Sequence, residues 1–437
     1  MMQKSAASTL SKIARFDLPL EFKELIPTLA THCIDSQASD VTRLNALHAL
    51  EAVLAEVGTK KLLPIKKFFN EVSKNYLTAL ITLGFQPSMD HFIHTGASCN
   101  NMSLQFVLAI NRTIHLLLNF SLSSLVGTSL KTPTRRTIDE VFTLVLKYIP
   151  LIRDLRIRQH ENLDSKVAGD IESLLQELYQ MVMDAQKLHP IVFSRYLGPF
   201  LHLFFSDLTE MASGNTFLSS EIAIPELLFL ANVVQCSHYD PDEESNETME
   251  RLRTNSKITS RGDSSVGVNQ SVQNVAHDVW NVFFTEERID RLSDIALFFM
   301  QLQEDQISDW SSDSEAFYIS REKSIADDDV IACSQHMYLS LAESRKGGMI
   351  VSKKLQIALE NTDAQISCAR AETVGIVNAD DRSIFVWDSI YTALGLSVHI
   401  VEKWSNFNFT LWVDSCLLKC LTIIITESNG SVSDIFK

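Results

Sequence analysis

The chain has 437 residues, 46% of them hydrophobic, with 14 Gly, 10 Pro and a formal net charge of −16. That length exceeds one ordinary core and calls for several domains or one elongated repeat array, while the scarcity of Gly and Pro excludes a turn-rich β protein. The acid excess repels phosphate backbones, so it argues against nucleic acid and fits a basic protein partner, although the same charge also serves simply to keep a large surface soluble.

The first predicted helix covers residues 18–36, where Phe22, Leu25, Ile26, Leu29 and Cys33 keep helical spacing. Asp17 is placed to cap it, and Pro19 falls in its first turn, where a missing donor costs little. Pro27 then sits in its interior, where a kink costing about 3 kcal/mol is expected. The reading is a bent outer helix paired with a straight inner helix at 40–58, whose stripe is Leu47, Leu50, Leu54 and Val57. Helices at 60–84 and 103–125 follow. The helix at 133–158 shows Phe142, Val145, Leu146, Ile149 and Ile152, and that at 165–188 shows Ile171, Leu174, Leu175, Leu178 and Val182. Further helices are read at 195–212, 218–238, 272–304, 328–345 and 381–404. Spacings of three and four mark helix faces, and the alternation that marks strands is almost absent. Short connections set consecutive helices in antiparallel pairs recurring every forty or so residues (about one HEAT unit). The predicted fold is all-α: an α-solenoid of HEAT-type antiparallel helix pairs forming a right-handed superhelix.

Two stretches depart from this pattern. Residues 240–271, DPDEESNETMERLRTNSKITSRGDSSVGVNQS, are polar and charged and read as a disordered loop. Residues 305–328, DQISDWSSDSEAFYISREKSIADD, are acidic but keep Trp310, Phe317 and Tyr318, so this loop is expected to pack on the solenoid or to recognise a partner. The chain thus divides into HEAT-like repeats at 1–239, the loop at 240–271, further repeats at 272–421 and a divergent tail at 422–437.

Three segments carry a family resemblance. Residues 8–36 include SKIARFDLPLEFKELIPTLATHC, with a bend residue before an EL-P-L core. Between Leu302 and Glu322, Trp310, Asp313, Glu315 and Phe317 fall in a W-x-x-D-P-E-x-F pattern. The third segment is DSIYTALGLSVHIVEKWSNFNFTLWVDSCLL, at 388–418. Together they resemble the importin-β (karyopherin) superfamily, and within it the importin-eleven branch. The chain departs from that pattern at Ser314, where a proline is expected, and at Ile331-Ala332-Cys333, where Arg-Pro-Cys is expected. Residues 240–271 and 346–380 match poorly. The resemblance implies nucleocytoplasmic transport, with basic protein cargo, nucleoporins and the Ran GTPase as partners and a shuttling location between cytoplasm and nucleus. Ran would be gripped through repeats that precede this stretch, and further repeats would follow residue 421, so the chain reads as a central fragment, a short isoform or an imperfect gene model. The alternative function is a HEAT-repeat scaffold or adaptor with no transport role.

Candidate partner contacts are Asp242, Glu243, Glu244 and Glu247 in the first loop, and Asp309, Trp310, Asp313, Glu315 and Phe317 in the second. The alternative for each carboxylate is an ordinary solvated loop charge. No catalytic residue, cofactor or metal ligand is expected. GxxxxGK[ST], HExxH and GxSxG are absent, and Gly347-Gly348 lacks the strand and the remaining residues of a P-loop. His32, His48 and His115 read as structural, and Asp327-Asp328-Asp329 as a helix cap. The seven cysteines are irregularly spaced and read as reduced thiols, with Cys416 and Cys420 as packing residues rather than metal ligands. Neither a secretory leader nor a bilayer-spanning stretch is read in the sequence. Apolar Leu10, Ile13 and Phe16 at one end, and Leu417, Leu421 and Ile423–Ile425 at the other, are expected to be uncapped solenoid surface.

Overall fold

A computed structural model describes residues 2–18, 21–60, 63–95, 101–123, 133–158, 165–214, 218–240, 264–302, 304–323, 325–326, 329–372, 383–404 and 407–414. These residues form helices and turns, with no strand among them. The fold is an α-solenoid of antiparallel helix pairs. The chain divides into two compact units: Met1–Leu203 with Thr216–Pro225 and Cys236–Val279, and Phe204–Asn215 with Glu226–Gln235 and Trp280–Lys437.

The first unit begins with α1 (Met2–Asp17), α2 (Leu25–Ile34) and α3 (Asp40–Gly58). α4 (Leu63–Ala79) runs through a π-helical segment, Leu80–Phe85, into α5 (Gln86–Thr95). α6 (Asn101–Ser123), α7 (Pro133–Arg158) and α8 (Ser165–Leu188) follow, then the single turn α9 (Pro190–Phe193). Packing sorts these into two layers. α1, α3, α6 and α8 lie side by side in one, and α2, the α4–π–α5 run and α7 form the other. The pairs α2/α3, α4/α6 and α7/α8 hold the layers together. The sequence stripes are the glue: Leu47, Leu54 and Val57 of α3, Phe142, Val145, Ile149 and Ile152 of α7, and Leu174, Leu175, Leu178 and Val182 of α8 are all 0% exposed. Each such side chain contributes about 1.5–3 kcal/mol of burial, which outweighs the weak intrinsic preference of a single helix.

The expected kink at Pro27 is not found. α2 starts at Leu25, so Pro27 is its third residue, where a backbone N–H has no intrahelical acceptor to lose. Asp17 is not a cap for that helix either; it is the last residue of α1, and Pro19 lies outside the described residues. The interior proline is Pro150 of α7. It is exposed, while Tyr148, Ile149 and Ile152 beside it are fully buried and hold the helix through the missing bond. A second proline, Pro87, lies two residues past the π segment, whose widened turn carries the helix across it.

α10 (Leu197–Ala212), α11 (Ala223–Val234) and α12 (Ser264–Phe283) follow in chain order. α12 begins inside the stretch read as a loop, so 264–271 are helical, and 241–263 lie outside the described residues. The helix expected at 272–304 is two helices. Thr285 interrupts it, its side chain accepting the Arg288 N–H at 3.4 Å as the cap of α13 (Glu286–Phe299), with Glu286 and Glu287 in the first turn. The stretch read as an aromatic loop is a pair of short helices, α14 (Glu304–Ser312) and α15 (Ser314–Lys323). In the second unit α13 packs on α16 (Val330–Glu343) and α17 (Gly347–Glu372), and both pack on α18 (Ser383–Trp404). α19 (Phe409–Trp412) closes the described chain.

The Gly347-Gly348 pair is a close-packing device, not a phosphate loop. A Cβ on Gly347 would lie 2.1 Å from the Leu341 carbonyl oxygen, and one on Gly348 would lie 2.7 Å from Trp404 Nε1. The start of α17 therefore presses against the end of α16 and against α18.

Candidate functional site

Neighbouring helices of the first unit are stitched by side chains that cross from one to the next. Arg15 of α1 pairs with Glu56 of α3. Arg112 of α6 reaches Glu177 of α8 at 2.7 Å and Glu51 of α3 at 3.9 Å. Gln105 of α6 donates to Asp170 of α8 at 3.4 Å, and His115 lies 3.1 Å from Asp184. In the second unit Lys354 of α17 grips Asp290 and Asp294 of α13 at 2.8 and 2.9 Å. These pairs are partly exposed, so each is worth about 0–1 kcal/mol and is screened by salt. Their effect is to fix register between repeats while leaving a polar face.

The other layer carries a repeated clasp. Lys147 and Tyr148 of α7 both hold Asp90 of α5 at 2.9 Å. Arg195 and Tyr196 hold Asp139 of α7 in the same way, Arg195 at 3.2 Å. Each cation also lies over its neighbour's ring, at 4.6 and 5.6 Å from the centroid. The Lys147 hydrogen bond holds the Asp90 carboxyl below its ordinary range, whereas burial, reinforced by the partner aspartate, pushes both tyrosine hydroxyls up. The sequence signal is a basic–Tyr dipeptide recurring at Lys147-Tyr148 and Arg195-Tyr196, which periodicity alone does not pick out.

A groove of about 280 Å³ opens between α1 and α3, lined by Ala7, Ser8, Ser11, His48, Glu51, Ala52 and Ala55. Serine, histidine and glutamate meet here without the alignment of a relay. The Ser11 hydroxyl donates to the Ser8 carbonyl of its own helix, and His48 stands 3.7 Å from Glu51, outside hydrogen-bond range. Its chemistry is that of a small-floored notch with one carboxylate, suited to a cationic side chain. His48 and His115 thus have carboxylate neighbours on the helix surface, and His32 is exposed. Among the described residues no three His, Cys, Asp or Glu side chains are grouped to hold a metal ion.

Of the expected partner contacts, Asp242, Glu243, Glu244 and Glu247 lie outside the described residues. The other five are brought together on the α14–α15 hairpin. Asp313 links the two helices, its carboxylate accepting the Ala316 N–H at 2.9 Å as the cap of α15. Asp309 and Glu315 are exposed, Phe317 is half-buried, Trp310 is 39% exposed, and Tyr318 and Ile319 beside them are 60% and 42% exposed. No described residue between 306 and 326 is buried, and the chief packing partner of each helix is the other. One tether is visible: Arg321 reaches Asp388 of α18 at 3.7 Å. Burial raises the Asp388 carboxyl above its ordinary range, against the pull of Arg321. Asp329 caps α16, its carboxylate accepting the Ile331 N–H at 3.0 Å; Asp327 and Asp328 lie outside the described residues. Cys33, Cys236 and Cys333 are thiols, not disulfide halves; Cys416 and Cys420 lie outside the described residues. Among the described residues no helix is long and apolar enough to cross a membrane.

No family model matches the chain, and no curated protein matches it by sequence. A solved structure does match in fold: Lph2, described as a novel bidirectional nuclear transport receptor of S. cerevisiae. The TM-score is 0.63 at 17% identity over 95% of this chain, and the match covers 37% of the receptor. This chain therefore spans little more than a third of the length of the receptor it resembles.

Proposed function

We propose that the chain acts in nucleocytoplasmic transport as a receptor of the importin-β type, or as the central part of one, and that the α14–α15 hairpin is a surface for basic protein cargo. What carries the reading is the hairpin: two helices of nine and ten residues that bury no described side chain, yet hold Trp310, Tyr318 and Ile319 at the surface among Asp309, Asp313 and Glu315. Aromatic faces bordered by carboxylates receive Lys and Arg by ion pairing and cation–π contact together. The likeness in fold to a transport receptor supports the cellular role, and the EL-P-L and W-x-x-D segments support the importin-eleven branch. The polar face of the first unit, stitched by Arg112, offers a secondary surface.

On this reading Ran-GTP acts chiefly through repeats outside this chain, and the chain alone binds it weakly. Two titrations test the proposal. A fluorescent Lys/Arg-rich peptide is expected to bind the full chain, with affinity falling steeply as salt rises and falling at least about fivefold in Trp310→Ala. Binding that ignores salt and Trp310 would contradict the hairpin as the cargo surface. Ran-GTP binding to the isolated chain tighter than micromolar, about −8 kcal/mol, would contradict the placement of the chain within a receptor.

A further inference from the structure

We propose that Ser312, at the junction of α14 and α15, is a phosphorylation site for an acid-directed serine kinase, and that the phosphate tightens the hairpin's hold on a basic partner. The second half rests on the cargo reading above; the first half does not.

A kinase with a basic substrate groove selects a serine by the carboxylates that follow it. Ser237, Ser260, Ser312, Ser324, Ser340 and Ser431 each have an Asp or Glu three residues on. Of these, Ser312 alone also has an acid at the next position, Asp313 before Glu315, and no Lys or Arg occurs from Glu304 to Ser320. Ser260, Ser324 and Ser431 lie outside the described residues. The structure separates the other three. Ser340 is 1% exposed in the last turn of α16, with its hydroxyl donated to the His336 carbonyl. Ser237 is exposed, but two residues on Tyr239 is 0% exposed and donates its hydroxyl to the Pro190 carbonyl at 2.8 Å. Ser312 is exposed, and its hydroxyl donates only within its own turn, to the Asp309 carbonyl at 2.9 Å.

A kinase cleft also needs the segment extended, so the local helix must open. The cost of opening is set by the packing that has to be broken, and no described residue between 306 and 326 is buried. Both helices are shorter than the ~12–15 residues that sustain an isolated helix in water. The same opening at Ser340 would expose Met337, Tyr338 and Leu341, each at most 1% exposed, and at Ser237 it would pull out Tyr239.

In the transfer, Ser312 Oγ attacks the γ-phosphorus of ATP. The Oγ–P bond forms, the bond from the γ-phosphorus to the β,γ-bridging oxygen breaks, and ADP departs with that electron pair. The hydroxyl proton passes to the kinase's carboxylate base. The product can no longer donate to the Asp309 carbonyl. It adds ~1.5–2 negative charges at the C-terminal end of α14, where the helix dipole is already negative and Asp309 and Asp313 are close. The last turn of α14 loosens around Trp310, and the field drawing a cationic segment becomes stronger.

The full chain, incubated with an acid-directed serine kinase and Mg-ATP, tests the site by phosphate mapping. Incorporation is expected at Ser312 and not at Ser340, absent from that position in Ser312→Ala, with an initial rate about tenfold lower in Glu315→Gln, which keeps the serine. No phosphate at Ser312, or a rate indifferent to Glu315→Gln, overturns the site. Binding of a labelled Lys/Arg-rich peptide then tests the consequence. The phosphorylated chain is expected to bind about fivefold tighter at low salt, with the difference shrinking as salt rises. Equal or weaker affinity overturns the control but leaves the site standing, and no binding by either form overturns the cargo reading and the control with it.

Discussion

Cys33 is fully buried in α2, and burial pushes its thiol up to about 12. A neutral buried thiol is a poor nucleophile, so at pH 8 a maleimide is expected to label this position only after denaturant is added. Because the folded thiol titrates above its ordinary value of 9.0, its contribution to stability is complete below that pH and is lost as pH rises toward 12. Asp90 has the opposite sign. Its folded carboxyl sits below the ordinary value of 3.8, so the Lys147–Tyr148 clasp contributes above that pH and fades as pH falls. Asp90→Asn is expected to flatten part of the acid limb of a stability–pH curve, and an unchanged limb would contradict the clasp. Gly347→Ala should lower the unfolding free energy by roughly 1–3 kcal/mol, since the Leu341 backbone carbonyl, nearer than the Ser344 hydroxyl, opposes the new methyl. A denaturant melt that coincides with the parent would show that the α16–α17 turn has room to move.

At the scale of elements, what is legible in the sequence follows from burial. Stripes such as Leu174, Leu175, Leu178 and Val182 announce a helix because a three/four spacing puts them on one buried face. Sequence and structure part where the decisive interaction is local and polar. Thr285 ends one helix and caps the next inside a continuous apolar pattern, and Asp313 does the same within a run of acid that reads as a loop. Pro27 reads as interior because no apolar stripe marks where α1 stops and α2 begins. α17 lies where no helix is read in the sequence, and its opening glycines, weighed there only against a P-loop, permit close packing. Thr285→Ala should cost about 1 kcal/mol by removing the cap. Pro27→Ala should fall within about 0.5 kcal/mol, since a first-turn proline forfeits no hydrogen bond. A loss of several kcal/mol at Pro27 would revive the interior kink. Of the candidate site, composition reveals the hairpin's acid and aromatic residues, but not that they ride on two helices without a core. Short helices with no apolar periodicity leave no signal for pattern reasoning to find.

At the scale of the whole molecule, apolar stripes fix the two layers of helices in the first unit, and cross-helix pairs such as Arg112–Glu177 set their register. That arrangement presents a polar surface of cross-helix charged pairs. The likeness to a bidirectional transport receptor is one of fold, and the transport role proposed above for this chain goes one step beyond it. A fluorescently labelled full chain added to permeabilised cells tests it most directly, beside an inert protein of the same 49.2 kDa mass. Rapid accumulation at the nuclear rim and passage into nuclei, while the inert protein stays largely outside, is the expected result. Exclusion from rim and nucleus to the same degree as the inert protein would contradict the transport role.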